Sequence, residues 1–367
     1  MPLADLIAEG ERVMTVCNAC RYCEQYCPVF PAMEHRLVFA KGDLTYLANL
    51  CHNCGECLYA CQYAPPHEFG INVPRTLAQI RALSYEEYCW PGGLAVAFRR
   101  HSVLTALGLA GALMAIMFAS TLGLNADAIR TPPGGGDFYA VISHDVMTAL
   151  FGAVGLFVVA AFWIGVTRFW RDLRRGRDAS SVTIAAVGVA LRDVLTLRHL
   201  HGAGVDCTSS EEERAPWRRW CHHATYYGFA LCFASTSVAA AYHLIFGWRA
   251  PYAMTSLPVV LGTAGGVGLL VGPSGLLLLK RRRDPALGDP ARQGLDESFI
   301  ALLLLASLTG LVLLVLRDRQ VMAALLVVHL GAVMALFLTL PYGKFVHGIY
   351  RTAALLNDAM ETPPGRA

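Results

Sequence analysis

Regularly spaced cysteines dominate the N-terminal part of this 367-residue chain. Two sets repeat the same intervals of three, three and four: Cys17, Cys20, Cys23 and Cys27 (the first set), then Cys51, Cys54, Cys57 and Cys61 (the second set). Three thiolates at this spacing can surround one iron–sulfur cubane. Zinc also binds thiolates, but its four ligands usually come as two pairs. The spacing therefore predicts two 4Fe–4S clusters.

The fourth cysteine of each set is expected to ligate the other cluster, as in two-cluster ferredoxins. This gives one cluster held by Cys17, Cys20, Cys23 and Cys61, and a second held by Cys51, Cys54, Cys57 and Cys27. The helix-like segment between the sets, EHRLVFAKGDLTYLANL, resembles the all-helical ferredoxin domain of succinate dehydrogenase iron–sulfur subunits and heterodisulfide reductases. The remaining cysteines are expected to pack or to lie exposed without a role: Cys89, Cys207, Cys221 and Cys232.

The composition indicates an integral membrane protein. Hydrophobic residues make up 55% of the chain and charged residues 16%, well below the usual quarter of a soluble domain. A net charge of +3, without a basic run interleaved with aromatics, argues against a nucleic-acid partner. The glycine-rich GTAGGVG lies inside an apolar run rather than after a strand, so it is a weak dinucleotide motif. Substrate chemistry is therefore expected to lie on another protein.

Six apolar runs are long enough to span a bilayer, which takes about 20 residues. They cover residues 102–123, 145–167, 224–246, 257–279, 298–316 and 321–341. Basic residues cluster on one side: Arg99, Arg100, Arg168, Arg171, Arg174, Arg175, Arg177, Lys280, Arg281, Arg282 and Arg283. The opposite loops carry few: Arg130, Arg249, Arg317 and Arg319. The positive-inside rule then places both termini in the cytoplasm.

We expect an all-α protein in three parts. Residues 1–98 form a cytoplasmic iron–sulfur domain, residues 99–352 a six-helix transmembrane haem-binding bundle, and residues 353–367 a cytoplasmic tail. Within the bundle, residues 181–200 carry apolar side chains at helical intervals with basic residues near the end. This pattern favours an amphipathic helix on the membrane surface over a seventh span.

Histidines within or beside the spans predict haem ligands, because ionisable residues in a membrane usually have a function. At roughly 100° per residue, His329 and His347 are about five turns apart and share a face. The third and sixth spans are antiparallel, so His222 is expected to meet His347 on the inner side, and His243 to meet His329 on the outer side. Histidine pairs on facing helices hold b-type haem in helical bundles.

Other assignments of these histidines remain open. A histidine at a helix end is often an interfacial residue, which applies to His222, His223 and His347. His144 and His101 are alternative ligands, or groups that protonate a quinone. The sequence thus predicts one or two haems b.

Several motifs together resemble the tricarballylate/citrate-utilization protein B family. They are CNACRYCEQYCPVFPAME, YLANLCHNCGECLYACQYAPPHEF, RRWCHHATYYGF, DPALGDP and LTLPYGKFVHGIYR. The C-terminal half of a flavin–iron–sulfur–haem fusion protein of cobalamin synthesis is similar. The spacing of His329 and His347 resembles that on the last haem-binding helix of nitrate reductase gamma subunits, whereas the third span lacks the matching spacing of that family.

The resemblance implies a protein of the bacterial inner membrane with iron–sulfur clusters, haem b and a flavoprotein partner. That partner would be an FAD-dependent dehydrogenase that oxidises tricarballylate, and this chain would reoxidise the flavin and reduce quinone. Two alternatives remain open: electron flow in the reverse direction, from quinol to a cytoplasmic reductase, and a non-conducting iron–sulfur redox sensor. The segment APPHEFGINVPR could dock the dehydrogenase or pack the cluster domain.

Overall fold

The computed structural model describes residues 3–130, 136–175, 181–201, 217–289 and 293–362. These residues form helices and connecting loops, and none of them lies in a β-strand. The predicted all-α class is confirmed. Cys207 and Arg177 lie outside the described residues.

Five helices build the cysteine-rich domain. They are α1 (Leu3–Cys20), α2 (Val29–Glu34), α3 (Lys41–Leu50), α4 (Glu56–Tyr59) and α5 (Val73–Tyr88). Buried residues recur at helical spacing along α1, at Leu6, Val13 and Met14, and this face packs against α3 and α5. Helix α5 begins where the Asn72 side chain accepts a hydrogen bond from the backbone N–H of Arg75 at 3.0 Å.

The membrane part contains six helices that are long and apolar enough to cross a bilayer. They are α6 (Gly93–Leu124, apolar from His101), α9 (His144–Leu173), α11 (Trp217–Phe246), α12 (Leu257–Arg282), α13 (Gln293–Leu316) and α14 (Met322–Thr339). Each overlaps a predicted span. Short helices α7 (Ala126–Arg130) and α8 (Phe138–Val141) connect α6 to α9. Helix α6 is interrupted at His101, whose backbone is not helical, and there the cysteine-rich domain gives way to the membrane part.

Helices α11 and α12 approach so closely that glycine is required between them. A Cβ atom on Gly272 would lie 2.6 Å from the backbone nitrogen of Thr225 and 2.7 Å from the carbonyl oxygen of Cys221. A Cβ atom on Gly268 would lie 2.9 Å from the carbonyl oxygen of Ala224. Small residues permit such contacts between membrane helices. This packing fixes the position of α11, which carries three of the candidate histidines.

We expect Gly272→Ala to destabilise the protein by about 1–3 kcal/mol, because the added methyl group overpacks a backbone contact. The thermal midpoint of the detergent-solubilised protein measures this loss. Gly111→Ala is the matched control, since no heavy atom lies within 4 Å of a Cβ atom at that site. Equal midpoints for the two variants would contradict the close packing.

The sixth span ends before His347, which corrects the helical-face argument for His329 and His347. Helix α14 stops at Thr339, a turn covers residues 340–345, and α15 runs over Val346–Glu361. Pro341 lies in that turn, and its ring prevents a continuous hydrogen-bonded helix. The turn is anchored by Lys344, which forms an ion pair with Asp296 of α13 at 2.9 Å. The two histidines therefore lie on separate helices.

Helix α15 packs against the cysteine-rich domain, and the predicted boundary at residue 352 falls inside it. Arg36 forms an ion pair with Glu361 at 3.0 Å, and the Tyr46 hydroxyl donates to Asp358 at 3.1 Å. Helix α10 (Ile184–Thr196) lies within the predicted amphipathic segment and also contacts α15. The N-terminal domain and the C-terminal helix are therefore on the same side of the six helices.

Candidate cofactor sites

Each cysteine set has a residue with a left-handed backbone shortly after a helix ends. In the first set, α1 carries Cys17 and Cys20 and is followed by Arg21, whose φ is +56°. In the second set, Cys51 directly follows α3, and Asn53 has a φ of +54°. A left-handed residue after each helix turns the chain back on itself, so the later cysteines of a set approach the earlier ones.

The cysteines border two cavities. The first cysteine cavity, of about 230 Å³, is lined by Cys17, Cys20, Cys23, Cys57 and Cys61. The second cysteine cavity is smaller and is lined by Cys27, Cys51, Cys54 and Cys57. Cys61 therefore lies with the first set and Cys27 with the second, as the crossed ligand scheme requires. Cys57 borders both cavities.

The chemistry of these thiols suits iron. Burial raises the pKa of Cys17 to about 12, with further increases from Cys61 and Cys23. Burial also raises the pKa of Cys27 and Cys57 well above the ordinary thiol value. Such thiols ionise only beside a compensating positive charge, which iron supplies. Within the described residues, no three acidic, histidine or cysteine side chains are arranged to hold a single metal ion. The thiols of the two sets instead border the two cavities.

His222 and His347 meet on the side of the membrane part that faces the cysteine-rich domain. Their ring centroids lie 5.9 Å apart and the ring planes are inclined by 72°. Two imidazoles on opposite sides of one metal, with metal–nitrogen bonds of about 2.0 Å, have ring centres roughly 6 Å apart. The structure therefore brings together His222 and His347, which we call the inner histidine pair, at a separation that fits a shared metal.

The hydrogen bonds of the inner histidine pair leave ring nitrogens available. His347 donates from Nδ1 to the carbonyl oxygen of Lys344 at 2.5 Å, which fixes its tautomer and leaves the lone pair on Nε2. The Nδ1 atom of His222 is buried without a hydrogen-bond partner. Burial lowers the pKa of His347, so this imidazole stays neutral, which is the ligating form. These observations fit haem ligation.

On the side away from the cysteine-rich domain, His243 pairs with His144 rather than with His329. The rings of His243 and His144 are stacked, with centroids 3.7 Å apart, and the Tyr139 ring contacts both edge-on. The Nδ1 atom of His329 lies 3.1 Å from the Thr309 hydroxyl, on the neighbouring helix α13. The structure thus places His243 against His144 and His329 against α13, so it does not show the predicted outer pair facing each other.

His329 nevertheless keeps one ring nitrogen for a ligand. The Thr309 hydroxyl donates to the carbonyl oxygen of Leu305 at 2.7 Å, so it accepts from the Nδ1–H of His329. His223 stacks on Tyr227 instead of facing the inner histidine pair. His101 is exposed at the break in α6.

Comparison with known proteins shows the family of the chain. A model of the family described as citrate utilization protein B matches residues 98–367, and a model of its Fer4-like domain matches residues 10–87. The chain belongs to the citrate utilization protein B family. A relative with that name from Escherichia coli is 48% identical over 360 residues, which cover 98% of this chain and 93% of the relative. The Fer4-like match covers both cysteine sets and supports iron–sulfur binding there.

No solved structure matches the chain. The two matched regions meet between residues 87 and 98, close to the interruption of α6 at His101. The family and the fold thus divide the chain at nearly the same place.

Four arginines near the second set were not predicted to belong to a site. All four donate to backbone carbonyl groups of residues 48–53, and we call them the interfacial arginines: Arg81, Arg218, Arg283 and Arg351. They come from α5, α11, the end of α12 and α15. Two of these elements, α11 and α12, belong to the membrane part. Positions so distant in sequence leave no local signal, so only the fold reveals the group.

Proposed function

We propose that this chain is a membrane electron-transfer protein, which accepts electrons from a cytoplasmic flavoprotein and delivers them to quinone. One observation carries this proposal. Arg218, which contacts the Cys51–Asn53 segment, lies one helical turn before His222, and Arg351 lies one turn after His347. The same two helices, α11 and α15, thus hold both the Cys51–Asn53 segment and the inner histidine pair. On each helix the arginine and the histidine are one turn apart.

Cysteines and histidines of this chain would hold the cofactors. Cys17, Cys20, Cys23 and Cys61 would bind one 4Fe–4S cluster, and Cys51, Cys54, Cys57 and Cys27 the other. His222 and His347 would bind the inner haem b. An outer haem would have His243 or His329 as a ligand, because the rings of His243 and His144 are stacked 3.7 Å apart and leave no space for a metal between them. Bound in this way, the clusters and haem supply one-electron carriers, and the protein supplies their order and surroundings.

Electrons would enter at the first cysteine cavity, because the second is the one that Arg218 and Arg351 connect to the helices of the inner histidine pair. Tyr22 lines this cavity and is 63% exposed, and Leu37 and Val38 are exposed nearby. The carbonyl oxygen of Arg36 accepts from the Asn18 side chain at 3.0 Å, which ties that apolar loop to the end of α1. We assign this surface to the flavoprotein partner.

The partner and the location extend the family assignment. The relative from Escherichia coli is named for citrate utilization. For this chain we propose a role in the use of tricarballylate or citrate, with an FAD-dependent tricarballylate dehydrogenase as electron donor. We place the chain in the bacterial inner membrane, and the basic loops support an orientation with both termini in the cytoplasm.

The proposal predicts a protein that absorbs visible light and transfers electrons. The detergent-purified chain should contain about eight irons with matching sulfide, in addition to haem, and should show reduced haem bands after dithionite. A reduced flavoprotein should then pass electrons through it to a ubiquinone analogue. Haem reduction by quinol alone would favour the reverse direction, and a fully loaded protein that relays no electrons would favour a sensor.

A further inference from the structure

The second set is surrounded by buried and part-buried positive charge. Arg351 donates to the carbonyl of Cys51 at 2.6 Å and to that of Asn49 at 3.2 Å. Arg81 donates to the same Cys51 carbonyl at 2.6 Å. Arg218 donates to the carbonyls of His52 and Asn53, at 3.1 Å each. Every one of these acceptors is a neutral backbone oxygen, so none of these bonds cancels a charge.

Burial makes this concentration of charge costly. Arg81 is only 6% exposed. Burial, together with the nearby Arg81, lowers the pKa of Arg351 to about 10, whereas the side chain of Cys51 opposes that change. Buried cations are stable when an anion lies close to them. The ligating thiolates of the second set, Cys51 foremost, would provide that anion.

The first set has a different electrostatic environment. Its nearest basic side chain in sequence is Arg21, which is 54% exposed and lies 3.8 Å from Glu34. Arg12, which precedes Cys17 on α1, forms an ion pair with Glu9 at 2.7 Å. These cations are partly neutralised by carboxylates and screened by water. The two cysteine cavities are therefore similar in ligands and different in charge.

We propose that Arg218 and Arg351 raise the reduction potential of the cluster at the second set above that of the cluster at the first set. Added negative charge on iron and sulfur is stabilised by nearby cations, and cluster potentials respond to charge and to burial. The electron that reduces the second cluster comes from the first, and the flavoprotein replaces it. The two arginines act as positioning residues that direct electrons towards the membrane.

This inference rests on the proposed function, since it requires a cluster at each set. The wild-type protein tests it first, by an EPR-monitored redox titration of the full chain. The cluster whose signal disappears in Cys54→Ser should have the higher midpoint potential. The reverse order, or equal potentials, would overturn the inference while the proposed function stands. A wild-type protein without clusters would contradict the proposed function itself.

Arg218→Gln should lower the potential of that cluster alone. We expect a shift of at least tenfold in the equilibrium constant for its reduction, which is 59 mV for one electron. Arg218→Lys keeps the charge and should restore most of the shift, which a purely structural role would not predict. Arg12→Gln is the control and should leave both potentials unchanged. Equal effects of the Gln and Lys variants at position 218, or a matching shift in both clusters, would overturn the proposal.

Discussion

Replacement of His347 by alanine should abolish the inner haem signal and leave both iron–sulfur clusters in place. His347 lies on α15 and faces His222 on α11, with ring centroids 5.9 Å apart. Haem b held by two histidines loses an axial ligand when either one is removed. The reduced-minus-oxidised absorbance spectrum measures the loss, and iron and sulfide assays of the same sample report the clusters.

His222→Ala should give the same spectrum as His347→Ala, because the two residues would serve one metal. His223→Ala is the matched control. It removes a histidine at the next position on α11, where the ring stacks on Tyr227 and does not face His347. Full haem content in the His347 variant, or an equal loss in the His223 variant, would remove the inner histidine pair from the ligand list.

The cysteine sites were predictable because their information is local. Two intervening residues set the direction of each thiolate, and the helices and turns that carry them span only a few residues. The crossed positions of Cys27 and Cys61 depend on how the two sets pack together, and the two-cluster ferredoxin pattern is what predicts them. The spans were predictable for a different reason, since bilayer thickness determines the length of an apolar run.

The outer histidines were not predictable, because their partners come from distant helices. A face calculated along one helix assumes that the helix continues, and Pro341 ends α14 before His347. The direction in which His329 points depends on how α13 packs against α14. The His329 ring is hydrogen-bonded to Thr309 of α13. His144 reaches His243 only because α9 begins beside the end of α11.

The interfacial arginines show how the two parts of the chain depend on each other. Basic residues near span ends are ordinarily interpreted as determinants of topology. Arg218 and Arg351 instead point into the protein and hold the segment that carries Cys51. The same positive charge can thus orient the chain in the membrane and support a cluster, and sequence position alone does not separate these roles.

Substitution of the fourth cysteine in either set should destroy the cluster of the opposite set. Cys61 lines the first cysteine cavity with Cys17 and Cys20, and Cys27 lines the second with Cys54. We therefore expect the EPR spectrum of Cys61→Ser to match that of Cys20→Ser, and the spectrum of Cys27→Ser to match that of Cys54→Ser. Each variant should lose about half of the cluster iron.

This comparison requires no prior assignment of either signal, because it depends only on which spectra coincide. Cys89→Ser is the control: that buried thiol donates to the carbonyl of Glu86 at 3.1 Å and lines neither cavity, so both clusters should remain. If Cys61→Ser matched Cys54→Ser instead, each set would bind its own cluster. The side-by-side placement of Cys61 with the first set would then have no role in ligation, and the path from the protein surface to the inner histidine pair would need a different order.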